Sequence, residues 1–459
     1  MEIMNTIVYP KSLELPPAAN PISASVTVPG SKSITNRALV LAALASRLGE
    51  CKLMGALQSE DTEVMVEGLT RLGFRIEVDW PRVAVYKNES GRLVPNASAD
   101  IFCANSGTTM RFLTAVCAAG NGRYRLDGVP RMRERPIEDL LGALRELGVK
   151  AHSENGNGCP PAVIETSGLI QRRCAVRSDQ SSQFLSALMM VAPYHSEGHG
   201  IWIHLKGALV SEPYIEMTLA MIARWNLPYY QNFDSRVEDG EPNRRQHITS
   251  MVFEQKHLHG GPLYSYVGPA EYAIEPDASA ASYFWAAAAV TGGRVTVLGL
   301  TRDSLQGDVA FVDALEKMGC SIDETADGIA AHGGALKGID IDMNAISDTA
   351  MTLAAVALFA EGPTTIRNIA HVRHKETDRI AAVATELRKL GATVEEFDDG
   401  MRIVPGPLTG CSVATYNDHR MAMSLAIVGL KVPGVKIENP GCVAKTYPGF
   451  WQDWARMSE

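Results

Sequence analysis

Val28-Pro29-Gly30-Ser31-Lys32-Ser33-Ile34-Thr35-Asn36-Arg37, followed by Ala38-Leu39-Val40-Leu41-Ala42-Ala43-Leu44-Ala45-Ser46, is the stretch from which the fold can be read. Pro-Gly ends the extended segment Ala24–Val28. Ser31 or Ser33 is a suitable helix cap. The apolar run then predicts a helix buried along most of its length. Its first turn presents backbone N–H groups, two hydroxyls, one ammonium and one guanidinium. Such a turn suits a phosphate or a carboxylate. A capped surface helix with incidental basic residues carries the same letters, so one such stretch decides little.

Five later segments repeat the plan of a polar start followed by an Ala-rich helix. They are Asn105-Ser106-Gly107-Thr108-Thr109-Met110-Arg111, Ser181-Ser182-Gln183, Asp277-Ala278-Ser279, Ser347-Asp348-Thr349 and Asn417-Asp418-His419-Arg420. The six starts lie roughly 70 to 95 residues apart, which marks an internal repeat. A second helix type interleaves and ends in Leu-Gly or a near equivalent before a strand: Leu72-Gly73, Leu147-Gly148, Met318-Gly319 and Leu390-Gly391. Gly just past a helix is a C-terminal cap, and the residues after it alternate as a strand should. Trp225-Asn226 is a weaker copy, and Phe450–Met457 reads as the truncated sixth. Each repeat reads strand, helix, strand, helix, strand, strand.

An α+β chain of six such repeats divides into two similar domains of three. The expected domains are 31–273, and 1–30 with 274–459. The chain then crosses between them near Gly268–Ile274, and the strand before Gly30 belongs to the second domain. Gly91–Asp100 and Asn155–Pro161 read as hairpin turns, and Asp234–His247 as a mobile polar loop.

Composition agrees with this division. A chain of 459 residues is too long for one core, and 46% hydrophobic content can fill two. No apolar run has the length of a membrane span, and Met1–Pro17 lacks a signal-peptide pattern. The 8 cysteines have no metal-ligand spacing. They read as reduced, mostly buried thiols of a cytoplasmic protein. A net charge of −9 argues against a nucleic-acid partner. It also makes the basic side chains at the helix starts a local exception.

Taken together, Pro29–Ser33 with Asn36-Arg37, Asn105–Thr108 with Arg111, Pro130-Arg131-Met132-Arg133-Glu134-Arg135-Pro136, Ser181–Gln183, Lys375-Glu376-Thr377-Asp378-Arg379, Asn417–Met421 and Ala444-Lys445-Thr446 resemble the EPSP synthase family, the 3-phosphoshikimate 1-carboxyvinyltransferases. The match runs through essentially the whole chain in order. The resemblance implies two domains of three βαβαββ copies with the active site in the interdomain cleft. It implies transfer of the carboxyvinyl group of phosphoenolpyruvate to shikimate 3-phosphate with release of phosphate, a step of aromatic amino acid biosynthesis. No cofactor and no metal are implied, nor any membrane. The chain is expected to act as a monomer and to bind the family inhibitor glyphosate.

By the same resemblance, Lys32, Ser33, Arg37, Ser181, Ser182, Gln183, Ser211, Tyr214, Asp348 and Lys375 touch shikimate 3-phosphate. Lys32, Asn105, Gly107, Thr108, Arg131, Gln183, Arg379, Arg420 and Lys445 hold phosphoenolpyruvate. Asp348 is the base on the 5-hydroxyl, Glu376 the acid/base at C3, and Lys32 assists at the developing alkoxide. A carboxylate ringed by Lys32, Lys375, Arg379 and Arg420 tends to stay ionised, so Glu376 needs burial or bound anions to act as an acid.

Plainer readings exist for several of these residues. Asp348 after Ser347 suits a helix cap, Lys375–Arg379 a solvated helix face, and Ser181-Ser182 a cap. His419 reads as a hydrogen-bonding support. The sequence also departs from the family pattern. Phe112 stands where a Pro is usual, which should alter how its helix begins. His371 stands where an Asn often contacts the substrate phosphate. Gly107, without a Cβ, should leave open the space that limits the longer anion glyphosate. The closest rival function is UDP-N-acetylglucosamine 1-carboxyvinyltransferase, whose mobile loop commonly carries a Cys; Gly128–Ile137 has none. A non-catalytic phospho-ligand binder on the same scaffold is the other.

Overall fold

The computed structural model describes residues 7–196, 200–226, 230–234, 247–253 and 268–458. Twelve α-helices occur among them: α1 (Lys32–Ala45), α2 (Glu60–Arg71), α3 (Gly107–Ala119), α4 (Glu138–Glu146), α5 (Ser182–Val191), α6 (Glu212–Arg224), α7 (Ala278–Thr291), α8 (Phe311–Lys317), α9 (Ala350–Ala357), α10 (Arg379–Lys389), α11 (His419–Gly429) and α12 (Phe450–Ser458). None is long and apolar enough to cross a membrane.

The repeat is visible in the sheets. Ser98–Phe102 leads through α3 to Gly122–Asp127, which pairs with it in parallel. A helical crossover is what joins parallel neighbours. α4 then leads to the antiparallel strands Lys150–Ser153 and Ala162–Thr166, giving the order 98–102, 122–127, 162–166, 150–153. Four further four-stranded sheets have this order. The sixth has three strands, Ser412–Val413, Lys436–Glu438 and Ser12–Glu14. Asn155–Pro161 closes the hairpin of Lys150–Ser153 and Ala162–Thr166. Gly91–Asp100 closes none: it joins Arg82–Val85 of one sheet to Ser98–Phe102 of the next, because each repeat ends where a new sheet begins. The expected mobile loop Asp234–His247 lies, apart from its two ends, outside the described residues.

The chain forms two compact units. The first comprises Lys32–Ala56 and Asp61–Ile274, the second the segment ending at Ser31, Leu57–Glu60, and the segment from Glu275 onward. In the first unit, Glu271–Ala273 pairs in parallel with Cys51–Met54. In the second, Ser23–Val26 pairs in parallel with Arg294–Leu298. Each of these strands immediately precedes, in sequence, a helix of the other unit. The second unit also ties the two crossing segments together: the Ser31 N–H donates to Glu275 O at 2.8 Å and that of Asp277 to Pro29 O at 2.9 Å.

The Ala-rich helices are buried throughout, every residue of α3, α7, α9 and α11 included. In the second unit α7, α9 and α11 pack on one another, and alanine lets their backbones approach closely. Their middle is a ladder of hydroxyls, Ser282 to Thr352 at 3.1 Å and Thr352 to Ser424 at 3.3 Å. In the first unit α1 packs on α3 and α6, and α5 packs on both of those. The interleaved helices α2, α4 and α10 keep one apolar face and end where the sequence says. Gly73, Gly148, Gly319 and Gly391 have φ of 92°, 90°, 109° and 109°, and Asn226 has 55°. That left-handed turn reverses the chain into the following strand. All eight cysteines are unbridged, five of them buried.

Candidate active site

In the second unit the charged residues singled out above gather on one guanidinium. Arg379 is the first residue of α10, behind the cap Asp378, whose carboxylate accepts from the Ala381 N–H. It is 2% exposed. Its Nη1 donates to Asp348 Oδ1 at 3.1 Å, its Nη2 to Glu376 Oε2 at 2.9 Å, and its Nε to Asp418 Oδ2 at 2.8 Å. Burial works against the Arg379 charge, but Asp418, Glu376 and Asp348 more than offset it and hold the pKa above its ordinary value. The Lys375–Arg379 segment is therefore not a solvated helix face.

Asp348 and Glu376 each have further cations. Arg420 Nη2 donates to Asp348 Oδ2 at 2.8 Å, and Lys375 Nζ lies 3.3 Å from Asp348 Oδ1. Lys445 Nζ is 3.4 Å from Glu376 Oε1. Burial lowers the Lys375 pKa in spite of Asp348. Asp348 does not cap its helix: α9 starts after a tight turn over Ser347–Thr349 with no side-chain cap. Its carboxylate goes to Lys375, Arg379 and Arg420 instead. His371 Nε2 meets Ser347 Oγ at 2.9 Å, and burial depresses its pKa to about 3. His419 is buried next to Asp418.

Arg420 sits just inside α11, where Asp418 caps the helix through the Arg420 N–H at 2.9 Å. The turn before it is strained, with Tyr416 and Asn417 both at φ 53°, at about 1–3 kcal/mol for each such residue. Glu386, 1% exposed, holds that turn. It accepts from Tyr416 Oη at 2.8 Å, Ala414 N at 3.1 Å and Lys389 Nζ at 2.6 Å. Behind Arg420 lies Ser279, which donates to the buried Asp308. Burial, with the charge of Asp348, raises the Asp308 pKa to about 6.

The first unit holds the other predicted residues. Lys32 Nζ is 3.3 Å from Asp61 Oδ2. Asn36 Nδ2 donates to Thr108 Oγ1 at 2.8 Å, joining the start of α1 to the start of α3. Ser106 caps α3 by accepting from the Thr109 N–H. Ser181 caps α5 by accepting from the Gln183 N–H, with Ser182 buried behind it. Ser211 is buried at φ 52° before α6, and Tyr214 lies in the first turn of that helix. Three arginines of the 130–136 segment have three different surroundings. Arg131 is partly exposed and pairs with Glu134 at 2.8 Å. Arg133 forks onto Asp127 at 2.7 and 2.9 Å. Arg135 is buried and donates to Asn105 O at 3.2 Å.

Three expectations change. Arg37 does not line the exposed first turn of α1. It is 1% exposed, and its guanidinium donates to Thr218 Oγ1, Ser33 O, Ser186 Oγ and Tyr214 O. Burial pulls its pKa down to about 10. Phe112 does not set the start of α3, which begins five residues earlier; its ring lies 5.2 Å from the Arg37 guanidinium. The space beside Gly107 is not open: a Cβ there would stand 2.6 Å from Arg135 Nη2 and 2.9 Å from Arg111 Nη1.

Residues 17–454 match the sequence model of the family described as EPSP synthase (3-phosphoshikimate 1-carboxyvinyltransferase). The chain belongs to the EPSP synthase family. A 3-phosphoshikimate 1-carboxyvinyltransferase of Nostoc punctiforme is 45% identical over 451 residues, 98% of this chain and 99% of that one. One of Shewanella denitrificans is 43% identical over 452 residues, again 98% and 99%. Among solved structures, an EPSP synthase from Acinetobacter baumannii superposes with a TM-score of 0.76 at 23% identity, covering 97% of this chain and 98% of that one. The enolpyruvyl transferase NikO from Streptomyces tendae gives 0.70 at 19%, covering 97% of each. These two likenesses establish the shared fold.

Against that family background, Asp61, Asp308, Asp418, Glu386 and Arg135 are residues that sequence reasoning left without a role. Asp418 and Arg135 stand inside quoted motifs, next to residues that were chosen. The others had no signal beyond being an acid near a helix start or on a helix. Among the described residues no group of three or more His, Cys, Asp and Glu has a metal-holding arrangement.

Proposed function

We propose that this chain transfers the carboxyvinyl group of phosphoenolpyruvate to the 5-hydroxyl of shikimate 3-phosphate and releases phosphate. The observation that carries the reading is the sharing of Arg379 by two carboxylates with different second partners. Asp348 has Arg420 and Lys375; Glu376 has Lys445. Two acids in different surroundings suit two separate proton transfers.

In this reading Asp348 takes the proton of the 5-hydroxyl while its oxygen attacks C2 of phosphoenolpyruvate, and Lys32 steadies the developing alkoxide. Glu376 gives a proton to C3, turning the methylene into a methyl group. It takes a proton back from C3 as the C2–O bond to phosphate breaks, and the enol ether is left. The cations that hold Glu376 ionised are those assigned to the anionic substrate. When Arg379 and Lys445 turn to phosphoenolpyruvate, the Glu376 carboxylate loses their stabilisation and its affinity for a proton rises. Arg131, Arg420, Gln183 and the Asn105–Thr108 turn complete the phosphoenolpyruvate set. Ser33, Ser181, Ser182, Gln183, Ser211, Tyr214 and Lys375 receive shikimate 3-phosphate, with Arg37 as the residue that orders Ser33 and Tyr214 among them.

The test is phosphate release from phosphoenolpyruvate with shikimate 3-phosphate as acceptor, with competition by glyphosate against phosphoenolpyruvate. Turnover with UDP-N-acetylglucosamine instead would establish the rival transferase. Binding of both substrates with no turnover would make the chain a phospho-ligand binder.

A further inference from the structure

Gly107 begins α3, and two buried guanidinium groups press on its inner side. Arg135 and Arg111 are each 4% exposed. Arg135 Nη1 donates to Asn105 O at 3.2 Å. Arg111 Nη1 donates to Gly107 O at 3.3 Å, and its Nη2 to Pro136 O at 3.0 Å. The two tips come so near the Gly107 Cα that a methyl group there would overlap both, at 2.6 and 2.9 Å. A methyl group at Gly107 would therefore force both guanidinium tips to shift. The outer side of the same turn carries the first N–H groups of a 13-residue helix. Ser106 caps that of Thr109, and those of Gly107 and Thr108 have no intrahelical acceptor in an α-helix.

We propose that Arg135, seconded by Arg111, is a positioning residue for phosphoenolpyruvate at the Asn105–Thr108 turn. This rests on the function proposed above. Arg111 holds the Gly107 carbonyl and so orients the Thr108 N–H at the other end of that peptide. Arg135 holds the Asn105 carbonyl, whose peptide N–H, that of Ser106, donates to Cys103 O at 2.9 Å, so the turn on which the Gly107 and Thr108 N–H groups stand is pinned at both ends of that peptide. The pair also places two full positive charges behind a helix N-terminus whose own dipole supplies about half a charge. In a site removed from bulk water those charges act at low dielectric, where their effect on an anion is greatest. Neither guanidinium touches the ligand in this arrangement. A purely architectural brace for the 130–136 segment would use the same hydrogen bonds but would not discriminate between substrates.

The experiment uses the full chain with Arg135→Gln, Arg135→Lys, Gly107→Ala and the double variant Gly107→Ala/Arg135→Gln. Arg135→Gln should raise KM for phosphoenolpyruvate by about tenfold or more, through loss of the charge behind the helix start and of the orientation of the turn. Its kcat and its KM for shikimate 3-phosphate should move by less than about threefold on the same scale. Arg135→Lys, which keeps the charge and loses the fork, should recover part of the difference. In thermal unfolding, Gly107→Ala should lower Tm clearly in the natural background and much less alongside Arg135→Gln, where the shorter side chain makes room for the methyl group. An unchanged KM for phosphoenolpyruvate, or equal loss in both substrates, would overturn the positioning role. Additive Tm changes would overturn the packing on which it stands. Should the unsubstituted chain fail to turn over at all, the function reading falls, and the unfolding cycle still decides the packing.

Discussion

Arg37 and Arg379 are two equally buried guanidinium groups, one in each unit, held in opposite ways. Every partner of Arg37 among the described residues is neutral: two hydroxyls, two carbonyls and the faces of Phe112 and Tyr214. Arg379 is surrounded by three carboxylates. Burial therefore lowers one pKa to about 10 and fails to lower the other. The difference separates two uses of a buried arginine. Arg37 stitches α1, α5 and α6 together without cancelling its charge. Arg379 is an electrostatic hub that holds three carboxylates in place. The helices of the second unit have no need of an Arg37, because the hydroxyl ladder Ser282–Thr352–Ser424 fills their middle.

The comparison can be broken at its reactive end first. Asp348→Asn and Glu376→Gln should each cut kcat by about 10²–10⁴-fold with substrate binding retained, since general acid/base groups contribute on that scale. Steady-state kinetics with calorimetric binding checks it, and an unaltered kcat would remove that carboxylate from the proton transfers. Next come the two arginines themselves. Arg379→Met should destabilise by about 3–5 kcal/mol, because it leaves the buried Asp418 without its arginine and takes one cation each from Asp348 and Glu376. Arg37→Met should cost only about 1–3 kcal/mol, the penalty of leaving neutral acceptors unsatisfied. Equal losses in denaturant unfolding would abolish the distinction. A rise in KM for shikimate 3-phosphate in Arg37→Met would bear out its ordering of Ser33 and Tyr214, and an unchanged KM would leave Arg37 a purely architectural residue.

The smallest effects are in pH. Asp308, with a folded pKa near 6, binds more protons folded than unfolded. Its contribution to stability therefore falls as pH rises from about 4 to 6, by at most about 1.4 kcal/mol per pH unit. His371, with a folded pKa near 3, binds fewer protons folded than unfolded. Its contribution rises with pH between about 3 and 6.5. The two oppose each other between pH 4 and 6. Relative to the unsubstituted chain, Asp308→Asn should add an upward slope of stability with pH over that window, and His371→Gln a downward one. Unfolding midpoints at half-unit pH steps would show the opposite slopes, and parallel slopes would refute the assignment.

The repeat was legible because its signals are local. An Ala-rich helix buried on every side has no polar face, so α3 and α7 read as apolar runs behind a polar cap. Gly319 and Gly391 mark helix ends because a left-handed turn there is a backbone requirement. What stayed hidden depends on partners distant in the chain. Ser12-Leu13-Glu14 has no strand signature, and its pairing with Lys436–Glu438 is invisible in three letters. Lys32 and Arg37 both look like cations at a helix start, but α1 is buried from Ile34 onward, and only Lys32 and Ser33 are not. Ser347-Asp348 reads identically as cap and as ligand; the geometry of the turn after Ile346 decides between them. Gly107 looks like an opening until the ends of Arg111 and Arg135 are seen to fill it.

The pairing of Ser12–Glu14 with Lys436–Glu438 also sets an order of events during synthesis. The early strand leaves the ribosome more than four hundred residues before its neighbour exists. At ~5–20 residues per second that is a wait of roughly 20 to 85 seconds. Ser23–Val26 waits in the same way for Arg294–Leu298. The first unit, whose strands all lie between Cys51 and Ala273, can condense during that interval with its own sheets complete. The second cannot finish until translation does, which makes the nascent N-terminal strands the segment most in need of protection from other exposed edges.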